Sequence, residues 1–153
     1  MAKPETEVDP PESDLVMTPD PSAPSHYVCV GASAGGLSPI EEFFSSMPPN
    51  TGMAFIVIQH LSPDHKSMMA ELISKRTRMP VRRVGEGMRA DADAIFVIPP
   101  KKNLKIFHGK LLLDDQNPDR GINLPIDIFL QSLAEDQGEK AVAIILSGTG
   151  SDG

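Results

Sequence analysis

The amino-acid sequence predicts an α/β domain: a doubly wound, mostly parallel sheet in a three-layer αβα arrangement, carrying a β-hairpin and incomplete at its C-terminus. Three observations lead there. The runs Ala54-Phe55-Ile56-Val57-Ile58 and Ala141-Val142-Ala143-Ile144-Ile145-Leu146 are apolar throughout, as a parallel strand buried on both faces requires. Between the apolar runs lie segments of helical spacing with their own start and stop residues, the alternation expected of βαβ units. Finally, three of the runs pass directly into turns rich in glycine or polar residues, at Gly31, Gln59 and Ser147.

Residues 1–25 hold six prolines and six acids (Glu5, Glu7, Asp9, Glu12, Asp14, Asp20) against Lys3 alone. Such a composition buries too little apolar area to offset chain entropy, so a disordered leader is expected there and a folded domain over residues 26–153. The leader accounts for -5 of the formal net charge of -7, which leaves -2 for the domain. Tyr27-Val28-Cys29-Val30 is β-prone and ends in glycines. Ser38-Pro39-Ile40-Glu41 has the capping-box pattern with proline at the first helical position, and Pro48-Pro49 close that helix. The apolar run over 54–58 follows, with His60 just past its end. Ser62-Pro63 caps a second helix expected to reach about Thr77, with Met68, Met69, Leu72 and Ile73 on one face. Ile95-Phe96-Val97-Ile98 reads as a strand ended by Pro99-Pro100. Leu104-Lys105-Ile106-Phe107 and Lys110-Leu111-Leu112-Leu113, joined at His108-Gly109, read as a hairpin. A third helix is expected from Ile126 to about Gln137, stopped by Gly138, and residues 141–146 make a further buried strand.

Bulk properties exclude several classes. At 153 residues and 40% apolar content the chain suits one domain with a tail. An acidic balance argues against general nucleic-acid binding, which needs a basic excess for phosphate contacts. A lone cysteine, Cys29, forms no internal disulfide, and no basic segment followed by an apolar one marks the chain for export, so a cytoplasmic location is expected. No apolar run approaches the roughly 18 residues that cross a bilayer, so no membrane insertion is expected.

Gly31-Ala32-Ser33-Ala34-Gly35 fits G-x-S-x-G, in which a sharp strand-to-helix turn lifts a serine oxygen clear of the sheet. Small neighbours permit tight backbone angles and close approach of a substrate, and amides at the helix start can face an oxyanion. The same residues also suit a plain βα turn or a phosphate-binding turn. A serine hydroxyl needs a base to take its proton, and His60, at a strand end, is the candidate, against the alternative of a structural histidine. Asp152, after Gly148-Thr149-Gly150, would orient the imidazole, or else sits in an ordinary polar turn. The chain order Ser, His, Asp differs from the Ser, Asp, His order of α/β-hydrolases, which sets that fold aside. No His/Cys/Asp/Glu set has zinc spacing, and neither a metal nor another cofactor is expected. A dinucleotide-binding reading of Gly31 to Gly36 requires an acid closing the second strand, where Gln59-His60 stands.

With these motifs in place, residues 27–153 resemble the catalytic domain of the CheB-type chemotaxis methylesterases. The resemblance rests on Gly31-Ala32-Ser33-Ala34-Gly35-Gly36, Gln59-His60, the Pro99 segment before the hairpin and Gly148-Thr149-Gly150-Ser151-Asp152-Gly153, in that order. It implies a doubly wound parallel sheet, with Ser33 as nucleophile, His60 as general base and Asp152 as its partner. It also implies removal of methyl groups from glutamate esters on chemoreceptors, some members deamidating receptor glutamines as well. Backbone donors to the oxyanion are expected at Ala34, Thr149 and Gly150, although Ala34 stands where many members have threonine and Thr149 where many have methionine. The run His60-Leu61-Ser62-Pro63-Asp64-His65-Lys66-Ser67 is most similar to hybrids in which this domain is fused to a CheR-type methyltransferase. Because family members continue past the aspartate, a C-terminally truncated domain is expected, and an inactive module that only docks on a receptor or partner is the competing reading.

Overall fold

The computed structural model describes residues 22–33, 37–59, 68–117, 119 and 121–146. Five strands form one parallel sheet in the order β3-β5-β2-β1-β8: β1 (Tyr27–Ala32), β2 (Ala54–Gln59), β3 (Val81–Arg83), β5 (Ala94–Val97) and β8 (Ala141–Leu146). A second, antiparallel sheet, in the order β4-β7-β6, is built from β4 (Met88–Arg89), β6 (Lys102–Phe107) and β7 (Lys110–Asp115).

Alternation along β1 sends its side chains into two separate cores. Val28, Val30 and Ala32 pack with Phe55 and Val57 of β2 and with Ile40 and Phe44 of α1 (Leu37–Ser45) and Met69 and Ile73 of α2 (Met69–Ser74). Tyr27 and Cys29 pack on the opposite face with Ile126, Phe129 and Leu133 of α3 (Pro125–Gln137) and with Leu104, Ile106 and Leu111 of the hairpin. The sheet is therefore covered on both faces, the arrangement expected from apolar strands. In the first core Phe44 meets Phe55 edge-to-face at a centroid distance of 5.5 Å, and Phe43 meets Phe44 at 5.0 Å. Each fully buried aromatic or branched side chain there contributes about 1.5–3 kcal/mol.

The fold begins earlier than composition suggests. Composition places residues 22–25 in the leader, yet Pro24 is buried and the Ser25 amide donates to the Gly52 carbonyl at 2.8 Å. Likewise the Ala92 amide donates to the Ser22 carbonyl at 3.0 Å, and the Arg89 guanidinium donates to the Ser22 hydroxyl at 2.7 Å. These contacts use backbone and hydroxyl groups, which a count of apolar residues does not register.

The second helix also differs. Its expected start at Ser62 lies outside the described residues, and its end comes at Ser74 instead of Thr77. There the Thr77 hydroxyl accepts the Met79 amide at 3.1 Å, a local turn that competes with helix, and Pro80 follows. In the hairpin, His108 (φ 50°) and Gly109 (φ 74°) both take positive φ, the type I′ turn that matches strand twist. Gly138, at φ 53°, ends α3 as expected. The strand over 141–146 is present but not fully buried: in the described sheet it has only β1 beside it, and Val142 and Ile145 are exposed. Among the described residues no helix is long and apolar enough to cross a membrane.

Candidate functional site

β1 lies between β2 and β8, parallel to both, with Ala32 opposite Gln59 on one side and Leu146 on the other. Three segments thus follow strands that end at the same level and the same edge: the serine segment after Ala32, the histidine segment after Gln59 and the glycine-rich segment after Leu146. With neighbouring strands about 4.8 Å apart, Gln59 and Leu146 flank Ala32 within about 5 Å on either side. Ser33, the residue after β1, is half-buried at this edge. His60, Asp152, Ala34, Thr149 and Gly150 lie outside the described residues.

This edge is also where the sheet changes winding. From β1 the chain passes through α1, on one face, to β2; β8, on the other side of β1, is entered from α3 on the opposite face. A crevice at the carboxyl ends of the strands opens where helices depart to opposite faces, and open α/β sheets bind their ligands there. Ser33 follows the strand at which that reversal occurs.

Gly31 has a packing role that the motif alone does not convey. A Cβ on it would lie 3.0 Å from both Cδ1 and Cγ2 of Ile126 and 3.1 Å from Cδ1 of Ile145. The absent side chain lets the first turn of α3 close directly over β1, so the close approach there is by the protein's own helix, where the motif had suggested a substrate.

The titrations of Tyr27 and Asp136, both displaced, lie at the other end of the sheet. Tyr27 opens β1, six residues before Ser33 or about 20 Å along a strand. Burial pushes its phenol up, Asp136 adds to this, Arg89 opposes it and Asp91 raises it further. Asp136, near the end of α3, is raised by burial, but hydrogen bonds from the Gln137 side chain and the amides of Gly109 and His108, with the nearby His108 charge, outweigh it and hold the carboxyl below its ordinary value. Its oxygens accept the His108 amide at 2.7 Å and the Gly109 amide at 3.1 Å, clamping the hairpin turn to α3. Nothing in the sequence pattern singled out Asp136, since an acid in the last turn of a helix runs against the helix dipole and reads as a surface residue.

The fold and this edge define the class: an open, parallel-sheet α/β domain with Ser33 following the strand at its switch point. A profile described as CheB methylesterase matches residues 28–153, and the chain belongs to that family. It is 30% identical over 137 residues to protein-glutamate methylesterase/protein-glutamine glutaminase 2 of Cupriavidus metallidurans, which covers 89% of this chain and 40% of that one. With protein-glutamate methylesterase/protein-glutamine glutaminase 3 of Paramagnetospirillum magneticum it shares 30% identity over 147 residues, 89% of this chain and 41% of the relative. The chain thus spans about two fifths of the length of these curated relatives. The crystal structure of the Thermotoga maritima CheB methylesterase catalytic domain superposes with a TM-score of 0.71 at 27% identity, over 84% of this chain and 70% of that one. The three-layer α/β architecture expected from the sequence is the architecture found.

Proposed function

We propose that this chain carries the reacting groups of a protein-glutamate methylesterase acting on methylated chemoreceptors in the cytoplasm. The observation that carries the reading is the register Gln59–Ala32–Leu146, which sends the segments bearing His60, Ser33 and Asp152 out of adjacent parallel strands at one switch point. In this reading Ser33 Oγ attacks the carbonyl carbon of the glutamate methyl ester while His60 takes its proton, and backbone amides of Ala34, Thr149 and Gly150 receive the oxyanion. The tetrahedral intermediate collapses, the C–O bond to the methoxy group breaks, and His60 returns the proton to departing methanol. Water, deprotonated by the same imidazole, then attacks the acyl-enzyme and frees both glutamate and Ser33. Asp152 holds the imidazole in orientation and stabilises its protonated form.

The names of the relatives support a second substrate for the same chemistry, a receptor glutamine, from which ammonia leaves in place of methanol. A CheR-type methyltransferase, which installs the ester that this site removes, is the expected companion activity. The methylesterase domain spans residues 26–153 in this reading and follows an acidic leader over residues 1–25.

The test is covalent labelling by a fluorophosphonate. Labelling that maps to Ser33, and that disappears in Ser33→Ala and falls at least about a hundredfold in His60→Ala, is expected. Equal labelling of the chain and of Ser33→Ala would overturn the assignment and favour a module that docks without catalysis.

A further inference from the structure

The hairpin sheet turns one face to the core and leaves the other outside. Leu104, Ile106 and Leu111 are buried, so the alternating residues Lys105, Phe107, Lys110 and Leu112 face outward, and all four are exposed. Cross-strand register arranges them in rows. Phe107 is opposite Lys110, which is opposite Arg89 of β4; Lys105 is opposite Leu112. Phe107, 61% exposed, therefore sits beside Lys110, with Arg89 one strand further along the row. Arg89 is paired with Asp91 at 3.2 Å, whereas neither Lys105 nor Lys110 has a carboxylate within salt-bridge distance among the described residues.

One segment of this chain matches that face and arrives beside it. Ser22, the first described residue, accepts a hydrogen bond from Arg89 at 2.7 Å, which puts residue 22 within reach of the end of the Arg89–Lys110–Phe107 row. That preceding stretch contains Glu12, Asp14 and Asp20, and between them the apolar Leu15-Val16-Met17. The row spans two strand spacings, about 10 Å. Seven residues, from Leu15 to Ser22, can reach up to about 24 Å, enough for Leu15 to meet Phe107 and for Asp14 and Glu12 to meet Lys110 and Lys105.

We propose that residues 1–21 dock in cis on the outer face of the hairpin sheet, their carboxylates on Lys105 and Lys110 and Leu15-Val16-Met17 on Phe107 and Leu112. Exposed ion pairs contribute little one at a time. A tether of a few residues raises the local concentration of the acidic segment into the millimolar range, which makes several weak contacts sufficient. Docking of this kind covers the largest exposed aromatic of the hairpin and offsets the leader's own negative charge.

The test uses the full chain with a nitroxide on Ser13→Cys, the native Cys29 being fully buried and unreactive. Amide signals of Lys105, Phe107, Lys110 and Leu112 should lose intensity by about twofold or more relative to those of Ile40 and Phe44 on the other face of the sheet. The loss should vanish in Lys105→Glu/Lys110→Glu, and also in the unaltered sequence near 0.5 M NaCl, where the Debye length falls to about 4 Å. No selective loss, or a loss indifferent to both salt and charge reversal, overturns the proposal. So does a loss seen only when spin-labelled chain is mixed with isotope-labelled chain, because that places the segment on a second copy.

Discussion

Gly31→Ala probes the junction between α3 and the strand that leads to Ser33. The added methyl would sit 3.0 Å from two carbons of Ile126 and 3.1 Å from one of Ile145, whereas carbon pairs are comfortable at about 3.5–4.0 Å. Each neighbour must withdraw by about 0.5 Å. Ile145, 42% exposed, can swing outward, but Ile126, 1% exposed, is held by the core. Overpacking of this kind costs about 1–3 kcal/mol. The newly buried methyl returns about 0.8 kcal/mol, so a net loss of about 1 kcal/mol is expected. Ile126→Val alone costs about 0.5–1.5 kcal/mol. The two together should be less destabilising than their sum by about 0.5–1 kcal/mol, because the trimmed Cδ1 is one of the clashing atoms. Gly31→Ala with Ile145→Val should add within about 0.5 kcal/mol. Urea unfolding followed by far-UV circular dichroism measures these four variants and Ile145→Val alone, with unchanged m-values as the condition for comparing midpoints. Strict additivity of the Ile126 pair, or a Gly31→Ala chain more stable than its parent, would refute the reasoning. The displaced helix start should also slow fluorophosphonate labelling of Ser33 by about tenfold.

Other outcomes follow from the same geometry. Asp136→Asn leaves one of the two clamped turn amides without its acceptor and should cost about 1 kcal/mol near neutral pH, read from the urea midpoint. Because the Asp136 carboxyl is held below its ordinary value, its contribution is present above about pH 4 and is lost as pH falls through the lowered value; Asp136→Asn should flatten that acid-side loss, and an unchanged acid profile would remove the clamp. His108→Asn, which suits the positive φ at 50° better, should raise the thermal midpoint by about 2–4 °C. Phe44→Ala should destabilise by about 3–5 kcal/mol, since Phe44 is fully buried between Phe43 and Phe55. Esterase activity should rise with pH through the ordinary histidine range near 6.5, because only neutral imidazole accepts the serine proton. A rate flat from about pH 5 to 8 would argue against His60 as the base.

The parts of the fold that could be read in advance were those where one local signal suffices. β2 declares itself by five consecutive apolar residues, the hairpin by His108-Gly109 between two β-prone runs, and α3 by Pro125 at one end and Gly138 at the other. β3 and β4, with three and two residues, are too short to show any period, and Arg82, Arg83 and Arg89 in them are exposed. Ser22 and Ser25 were missed because they join through backbone and hydroxyl groups. At the candidate site, the strand-end positions of Ser33, Gln59 and Leu146 were legible, since each closes or follows an apolar run. Which strands lie side by side was not: the order β2-β1-β8 brings together segments more than eighty residues apart, and only tertiary packing decides it. The need for glycine at position 31 was hidden for the same reason, because the pressing atoms belong to Ile126 and Ile145.

The central position of β1 decides how firmly the backbone leading to Ser33 is held. Its amides and carbonyls are engaged on both flanks, so hydrogen exchange along 27–32 requires the whole domain to open. β8 is engaged on one flank among the described residues, with Val142 and Ile145 exposed. In the proposed mechanism Ser33 therefore follows a strand that opens only with the whole domain, so the position of its hydroxyl is set by global stability and not by a local one.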